Sequence, residues 1–290
     1  MPAVATTFEI RPLQGAPLGA EVVGLDLSRP LDEAGFRRLH RAHLDHHVLV
    51  FRDQQHLTPA QQVALSRRFG PLQRHVLKQF ALPSNPDVLI VSNIVEDGQP
   101  IGLGDAGHFW HSDLSYKDRP SLGSFLLAQE LPSEGGDTLF ANQHLAYDRL
   151  PDALKLAVAE LRAEHWYLAR YEELRRRSPW RPALSAAQIA EVPPAVHPVV
   201  RTHPENGRKA LFVSEHFTTR IVGVPEPVSR SLLDELFEHS TREAFVYRHR
   251  WRDGDMVFWD NRSVVHLAAG CPDALRRRLH RTTIEGDVPA

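Results

Sequence analysis

Cysteine is almost absent from this chain of 290 residues, which has a single one at Cys271. One thiol excludes an intrachain disulfide framework and any metal site built on a CxxC pair, and it suits a reducing compartment. A surplus of positive charge is lacking as well, because 34 Lys and Arg stand against 36 Asp and Glu, for a net charge of -2. Such a chain lacks the excess of Lys and Arg that proteins use to bind a phosphate backbone or an anionic bilayer. We therefore expect neither nucleic acid nor membrane as a partner.

Long apolar runs are missing too. No stretch of about 18 apolar residues occurs, so the sequence predicts no transmembrane helix. The opening segment MPAVATTFEIRPL lacks the basic start and the apolar core of a secretory leader. No internal repeat or low-complexity tract is present. These absences predict a cytoplasmic protein.

The length, with 42% hydrophobic residues, is enough for a large buried core. We expect one domain over residues 1–290, with a helical and loop excursion at about 145–195. The clearest helix signal is Thr58 as N-cap, Pro59 at the first helical position, Gln61 completing a capping box and Gly70 as a stop. Hydrophobic spacing predicts helices at 32–47, 59–69, 151–162 and 229–237.

Short strand-like runs bounded by Pro, Gly and Asp lie between these helices. They cover 48–51, 88–91, 122–128, 138–142, 211–213, 244–250, 256–259 and 279–284. The runs do not alternate regularly with helices, which disfavours a doubly wound parallel sheet. Many short strands favour a mainly β fold with peripheral helices, built as a double-sheet barrel. The segment 170–194 has no clear period and is interpreted as an excursion over the surface.

The strongest local signal for chemistry is the HxD sequence formed by His111, Ser112 and Asp113. On an extended backbone both outer side chains point to the same face and can share one ion. Together with a distant His266 they provide two imidazoles and one carboxylate, the ligand set of non-haem iron(II) oxygenases. By itself HxD is weak in a chain with 17 histidines, and His266 considered alone is more simply a buried core histidine.

Arg281 lies fifteen residues after His266 (281 - 266 = 15) at the end of a predicted strand. A dicarboxylate co-substrate needs a partner for its far carboxylate, and a guanidinium offers a planar, bidentate fork. Thr138 follows two glycines and could add a hydroxyl donor to the same group. The simpler alternatives are a surface arginine and a turn threonine.

Taken together, these features resemble the taurine dioxygenase family, with its alkylsulfatase and phenoxyalkanoate dioxygenase relatives. The resemblance covers nearly the whole chain and rests on many motifs in order. They are GAEV at 19–22, GLDL at 24–27, VFRDQ at 50–54, WHSD at 110–113, ELPSEGGDTLF at 130–140, HPVVRTHP at 197–204, LFVSEHFTTRI at 211–221, WDNRSVVH at 259–266 and HRTTIEGD at 280–287.

The resemblance implies a double-stranded β-helix, or jelly roll, of the clavaminate synthase-like kind. It implies that His111, Asp113 and His266 bind Fe(II), and that Thr138 and Arg281 hold the distal carboxylate of 2-oxoglutarate. By the same pattern Arg277 supports that carboxylate. The implied activity is 2-oxoglutarate-dependent hydroxylation by O2 of a small substrate, with release of succinate and CO2. Relatives are commonly dimers or tetramers, so a homodimer or homotetramer is expected.

The substrate positions of the family fall on His75, Lys78, Arg170, Tyr171 and Phe217. Lys78 and Arg170 stand where taurine dioxygenase has an uncharged tyrosine and serine, and the segment 104–108 lacks the expected asparagine. Taurine is therefore disfavoured. We hypothesise an anionic substrate, a carboxylate, sulfonate or sulfate, bound by some of the charged residues of this set. The alternative is that Lys78 and Arg170 face solvent on loops.

Three other functions stay open from the sequence. The same fold can carry out oxidative desaturation or rearrangement of an amino-acid-derived carboxylate. A jelly-roll binding protein without activity is a second possibility, which the intact triad and Arg281 disfavour. A cupin-type metal enzyme that does not use 2-oxoglutarate is the third.

Overall fold

The computed structural model describes residues 7–178 and 180–290. The first six residues of the opening segment, from which we predicted the absence of a leader, lie outside the described residues, as does Pro179 within the predicted excursion. The described helices are α1 Glu33–His46, α2 Pro59–Arg67, α3 Gln143–Asp148, α4 Asp152–Val158, α5 Tyr171–Arg177, α6 Ala186–Ala190 and α7 Glu226–Ser240. Within these two ranges, no helix combines the length and the apolar character needed to cross a membrane.

Most of the described strands are short. They are β1 Glu9–Pro12, β2 Ala20–Val23, β3 Val48–Phe51, β4 Leu72–Gln73, β5 Ala81–Leu82, β6 Asn85–Ser92, β7 Val95–Glu96, β8 Gln99–Pro100, β9 Ser121–Glu130, β10 Thr138–Asn142, β11 Arg162–His165, β12 Ala195–Pro198, β13 Val200–Thr202, β14 Lys209–Leu211, β15 Thr218–Ile221, β16 Val246–His249, β17 Met256–Asp260, β18 Val264–Ala268 and β19 Arg278–Glu285.

The major sheet has the strand order β1-β2-β3-β17-β9-β19-β6-β5, with β4 also paired to β19. Both faces of this sheet are buried. Alternate residues along each strand point to opposite faces, so neighbouring residues belong to different cores. On β17, Phe258 packs outward against α1 and α2 together with Phe125. Val257 and Trp259 point inward to the second core. The inner face of this sheet is therefore one wall of a closed interior.

The opposite wall is a minor sheet of three strands in the order β16-β10-β18. Phe140 on β10 packs against Trp259 of the major sheet, with ring centroids 5.6 Å apart. Two largely antiparallel sheets that face each other around one apolar interior form a jelly roll, as the sequence predicted. Helices lie at the periphery, as expected.

The sequence located the four longest helix signals correctly but not all their ends. The capping box of Thr58 and Gln61 begins α2 as predicted. The prediction of a helix over 151–162 was too long: α4 ends at Val158, and Arg162 begins β11, which pairs with both β12 and β15. Pairing with two strands more than 30 residues away outweighs the local helical spacing.

Other boundaries also differ. The strand predicted at 211–213 is β14, Lys209–Leu211, and the one predicted at 244–250 begins with a 3-10 turn before β16. The segment 170–194 contains α5 and α6, and it does not run only over the surface. Tyr171 and Leu174 are buried, so this part of the chain covers the interior described below.

Candidate metal centre and active site

His111, Asp113 and His266 lie at one end of the interior, between the two sheets. Each offers a ligand atom within 4.8 Å of the others, and all three side chains are buried. His111 and His266 exchange backbone hydrogen bonds of 3.0 and 2.8 Å, so the HxD segment extends the minor sheet beyond β18. Two ligands are therefore set by a backbone bridge rather than by flexible side chains.

Asp113 turns away from that bridge toward the major sheet. Its Oδ2 accepts a 2.7 Å hydrogen bond from Ser124 on β9, and its Oδ1 accepts a 3.0 Å hydrogen bond from Nη1 of Arg281 on β19. Burial acts to raise the pKa of Asp113, but Arg281 and the neighbouring histidines outweigh it and hold that pKa well below its usual range. The ligand carboxylate is thus anionic at neutral pH.

Asn261 holds this turn in place. Its Oδ1 accepts hydrogen bonds from the backbone N–H of Asp113 at 3.1 Å and from Nε1 of Trp259 at 3.0 Å. Its Nδ2 donates to Ser121 at 3.0 Å, and its carbonyl accepts from the hydroxyl of Ser112 at 2.8 Å. Asn261 belongs to the motif WDNRSVVH at 259–266, from which only His266 was predicted to act in the site. Its position five residues before His266 was the available signal.

Each of the two histidine ligands can turn a ring nitrogen toward a metal. Nδ1 of His111 lies 2.9 Å from the carbonyl oxygen of Phe109 and so carries the proton, which leaves the Nε2 lone pair for a metal. Burial, together with the nearby His111, lowers the pKa of His266 well below its usual range. Neutral imidazole is the form that binds a metal ion.

Two imidazoles and one carboxylate fit a divalent metal such as Fe(II) with positions left open, because three protein ligands occupy one face of an octahedral ion. Nε2 of His111 and Nε2 of His266 lie 3.7 and 3.9 Å from the oxygens of Asp113. The only cysteine, Cys271, lies instead near Asn93 and Leu275 and supplies no ligand. A closed tetrahedral thiolate site is excluded.

Arg277 and Thr138 lie near one another along the glycine segment that leads into β10. Nε of Arg277 donates to the carbonyl of Gly136 at 3.2 Å, two residues before Thr138. Burial lowers the pKa of Arg277 to about 10, so the buried guanidinium stays charged at neutral pH. The nearby carboxylate of Asp137 pairs with Arg248 instead. Within the described residues Arg277 therefore has a charge that no carboxylate offsets.

Arg281 lies elsewhere. Strand β19 puts it on the inner face together with Leu279, and there it bonds Asp113 rather than the segment of Thr138. From the family resemblance, Arg281 and Thr138 were expected to hold the distal carboxylate of 2-oxoglutarate, with Arg277 supporting the same carboxylate. The structure brings Arg277 close to that threonine's segment and brings Arg281 to the metal ligands.

Two neighbouring cavities lie at this end of the interior, and the inner one is lined by His111 and Asp113. An outer channel of about 260 Å³ passes between the surface and Arg281, and its lining includes Leu77, Lys78 and Leu89. An inner chamber of about 40 Å³ lies beside the ligands, and its lining includes His111, Asp113, Tyr116, Tyr167, Arg181 and Phe217. The two spaces share His75, Leu114 and Arg281. Arg281 therefore lies where the channel meets the chamber.

Comparison with known proteins agrees with this site. The family model described as taurine catabolism dioxygenase TauD, TfdA family matches residues 9–283. This chain belongs to the TauD, TfdA family. One relative is the alpha-ketoglutarate-dependent 2,4-dichlorophenoxyacetate dioxygenase of Cupriavidus pinatubonensis, 39% identical over 280 residues that cover 93% of this chain and 95% of the relative.

A second relative is pentalenolactone F synthase of Streptomyces arenae, 35% identical, with 98% of this chain and 97% of the relative covered. Among solved structures, AAD-2 in complex with Mn(II) and N-oxalylglycine is 32% identical with a TM-score of 0.81, and the match covers 98% of this chain and 99% of AAD-2. Membership of the TauD, TfdA family confirms the predicted enzyme class. The chain is an Fe(II)- and 2-oxoglutarate-dependent dioxygenase, with O2 as the second co-substrate.

The predicted substrate residues of this TauD, TfdA enzyme separate into two groups. His75, Tyr171 and Phe217 line the inner chamber, and His75 also lines the channel. Burial and the charge of Arg281 lower the pKa of His75 to about 3, so its ring is neutral. These three residues are placed where a substrate can touch them.

The two cations of the predicted set lie farther out. Lys78 lines the outer channel, has a side chain 67% exposed, and pairs with Glu191 at 3.2 Å. Arg170 lines neither cavity: it pairs with Glu173 at 2.9 Å and Glu215 at 3.2 Å, and its guanidinium lies over the ring of Phe109. Arg170 is thus occupied by carboxylates outside the active site.

Several residues of the chamber were missed from the sequence. Arg181 and Asp105 form a buried bidentate ion pair with bonds of 2.8 and 2.6 Å. Tyr116, Tyr167 and His216 complete the wall. Arg181 and Asp105 are 76 residues apart, so no local pattern links them. Tyr116 follows Asp113 by only three residues, and that closeness was a usable signal.

Proposed function

We propose that this dioxygenase hydroxylates a small anionic molecule, a carboxylate, sulfate ester or sulfonate, whose anion binds Arg281. The observation that carries the proposal is the position of Arg281, on the inner face of β19 where the outer channel meets the inner chamber, 3.0 Å from the ligand Asp113. An anion bound there lies beside the metal ligands. A buried anion needs charged donors, and only a guanidinium offers a bidentate fork.

Fe(II) would be held by His111, Asp113 and His266. Bound iron together with 2-oxoglutarate activates O2 for oxidation of a substrate C–H bond, with release of succinate and CO2. We assign the distal carboxylate of 2-oxoglutarate to Arg277 and Thr138. The uncompensated charge of the buried Arg277 guanidinium supports this assignment, because a charge left unpaired in the interior is unfavourable.

The remaining residues of the site position substrate and exclude water. Neutral His75 offers hydrogen bonds to the anion without adding charge. Phe217, which packs at 5.0 Å from Tyr116, forms an apolar wall beside the ligand His111. The segment after β11 lies over the chamber. The hydroxyl of Tyr171 in this segment donates a 2.9 Å hydrogen bond to the carbonyl of Pro182. A covered site keeps water away from the reacting centre.

The test is a measurement of succinate release with Fe(II), 2-oxoglutarate and matched probes of one chain length. Octanoate, octyl sulfate and octanesulfonate carry the anion, and methyl octanoate is the neutral control. We expect at least one anion to exceed the ester in kcat/KM by about 100-fold, from the loss of a charged hydrogen-bonded partner. The Asp113→Ala variant should release no succinate with any probe. Equal turnover of ester and anions would overturn the proposal.

A further inference from the structure

Five buried polar atoms of residues that line the inner chamber lack a hydrogen-bond partner in the described part of the chain: the hydroxyls of Tyr116 and Tyr167, Nη1 of Arg181, Nδ1 of His216 and Nε of Arg281. Three of them are donors on neighbouring residues, the two hydroxyls and Nη1 of Arg181, and Arg181 also acts on the hydroxyl of Tyr167, lowering the pKa that burial raises. All three residues line the chamber beside the metal ligands. Buried polar groups in native proteins are nearly always paired, so three unpaired donors at one cavity point to something that accepts from them.

These donors lie on one wall. The rings of Tyr116 and Tyr167 have centroids 4.8 Å apart, and Tyr167 lies 5.4 Å from Tyr171. The guanidinium of Arg181 lies 4.9 Å above the ring of Tyr171. The wall is therefore continuous from the residue next to the HxD turn to the buried arginine.

The wall is polar without being positively charged. Asp105 accepts two hydrogen bonds from Arg181, through Nε and Nη2, so the pair is neutral and Nη1 is the donor left over. Burial raises the pKa of Tyr116 well above its usual range, which keeps that phenol protonated as a donor. A second anion placed here would be buried without a cation of its own, because Asp105 already neutralises Arg181.

We propose that this wall binds an uncharged oxygen of the substrate, a ketone, ester or lactone carbonyl, so that the substrate is an anion carrying a second, neutral oxygen function. The proposal rests on the proposed function, because it takes the anion to lie at Arg281. A chamber of about 40 Å³ accommodates a carbonyl group, or one to a few water molecules if no such group enters. A plain alkyl chain would strip the donors of water and leave them unpaired.

The experiment compares octanoate with its isomeric 4-, 5-, 6- and 7-oxooctanoates. These probes share chain length and charge, and they move one ketone along the chain. Affinity is measured by calorimetry on protein loaded with Mn(II) and N-oxalylglycine, which bind the site without turnover. We expect one isomer to bind about tenfold more tightly than octanoate, as a site built to donate hydrogen bonds discriminates against analogues that lack the acceptor.

Two variants locate the preference on the wall. Tyr116→Phe and Tyr167→Phe should each reduce the ketone preference, and the double variant should reduce it to within about twofold. Octanoate should bind these variants at least as tightly as wild type, because its alkyl chain no longer covers unpaired hydroxyls. Tyr247→Phe is the matched control, since its hydroxyl already bonds His249 at 2.9 Å and lies outside both cavities. That variant should keep the full preference. Mn(II) binding and near-UV circular dichroism report whether each variant is folded.

A charge-changing variant tests the neutral character of the wall and stands in if the double variant does not fold. Asp105→Asn leaves Arg181 with an uncompensated charge. Wild-type protein should bind octanedioate, which carries a second carboxylate, more weakly than octanoate. The Asp105→Asn variant should instead bind octanedioate about tenfold more tightly than octanoate. A role of Asp105 in packing alone would not reverse the order.

Two results would overturn the inference. One is equal affinity of wild-type protein for octanoate and every ketone isomer, which means that water alone occupies the wall. The other is a ketone preference that survives in both tyrosine variants. In both cases octanoate still binds and Arg281→Ala still weakens it, so the proposed function stands. If octanoate binds no better than methyl octanoate, the proposed function itself fails.

Discussion

Nη1 of Arg281 lies 3.0 Å from Oδ1 of Asp113, so the arginine that lines the substrate cavities also contacts a metal ligand. Arg277, four residues earlier, faces the segment of Thr138 and has no such partner. These two arginines, four residues apart, therefore have different surroundings.

Substitution of the two arginines should separate the two substrates. Arg277→Ala is expected to weaken 2-oxoglutarate binding about 100-fold, because a buried charge-assisted pair is lost. Arg281→Ala should raise KM for the anionic substrate by a similar factor and leave 2-oxoglutarate affinity within about threefold. Calorimetry with 2-oxoglutarate and steady-state kinetics measure the two effects.

Arg278→Ala, which changes an arginine paired with Glu130 near the surface, is the control. If Arg281→Ala weakens 2-oxoglutarate binding as much as Arg277→Ala does, then Arg281 holds the distal carboxylate together with Thr138, as the sequence predicted.

Asn261→Ala should lower metal affinity about 10- to 100-fold, the range for residues that orient ligands from behind. Asn261 fixes the backbone of Asp113 and the hydroxyl of Ser112, so without it the ligand carboxylate samples other positions. Titration with Mn(II) measures the change. Asn206→Ala removes an amide from a surface turn and should bind the metal normally. An unchanged dissociation constant for Asn261→Ala would show that the histidine bridge alone sets the site.

The two outer cations should differ in their effect on substrate. Arg170→Ala should change KM less than about twofold, because Glu173 and Glu215 already occupy its guanidinium. Lys78→Ala should raise KM for an anion about two- to fivefold, and the difference should disappear at 1 M salt, since exposed charges act through screened attraction. Kinetics at low and high salt measure both effects. A large increase in KM for the Arg170→Ala variant would show that Arg170 contacts the substrate.

Acid should destabilise the fold through buried neutral histidines. Burial lowers the pKa of His43 to about 4 and that of His165 to about 3, against an ordinary value of 6.5. Below pH 6.5 the unfolded chain binds protons that the native chain does not, so stability falls as pH drops toward 4. Each such histidine should contribute about 1.4 kcal/mol per pH unit within that window. Urea unfolding of metal-free protein between pH 7.5 and 4.5 measures the slope.

His43→Leu should flatten that slope, because His43 stacks on Phe258 at 3.9 Å and neither ring nitrogen makes a hydrogen bond in the described part of the chain. His56→Leu changes an exposed histidine and serves as the matched control. The same slope in both variants would contradict the assignment to buried rings.

The sequence predicted much of the fold because its signals are local. A capping box at Thr58 fixes where α2 begins, and β-branched runs such as 48–51 identify buried strands. The metal triad was predicted because motif order supplied what spacing could not. β18 escaped detection because its five residues follow directly after the turn of Asn261 and carry a histidine in their middle.

The parts that could not be predicted depend on distant pairing. The bond between Arg181 and Asp105 joins segments 76 residues apart, and neither residue carries a distinguishing neighbour. The different surroundings of Arg277 and Arg281 depend on where β19 begins and on the shift of its register against β9 between Arg278 and Leu279. A single domain, a homo-oligomeric state, a cytoplasmic location and the absence of nucleic-acid binding stay predictions.

The bridge between His111 and His266 also has a consequence for the order of folding. These residues are 155 positions apart (266 - 111 = 155), yet each donates a backbone hydrogen bond to the other. Contacts of such long range form late in folding, because the entropy cost of closing the intervening loop comes before the stabilisation from the contacts. A chain still emerging from the ribosome lacks the bridge until β18 has been made. The complete ligand set for iron therefore exists only after β18 has been synthesised and has paired with the segment of His111.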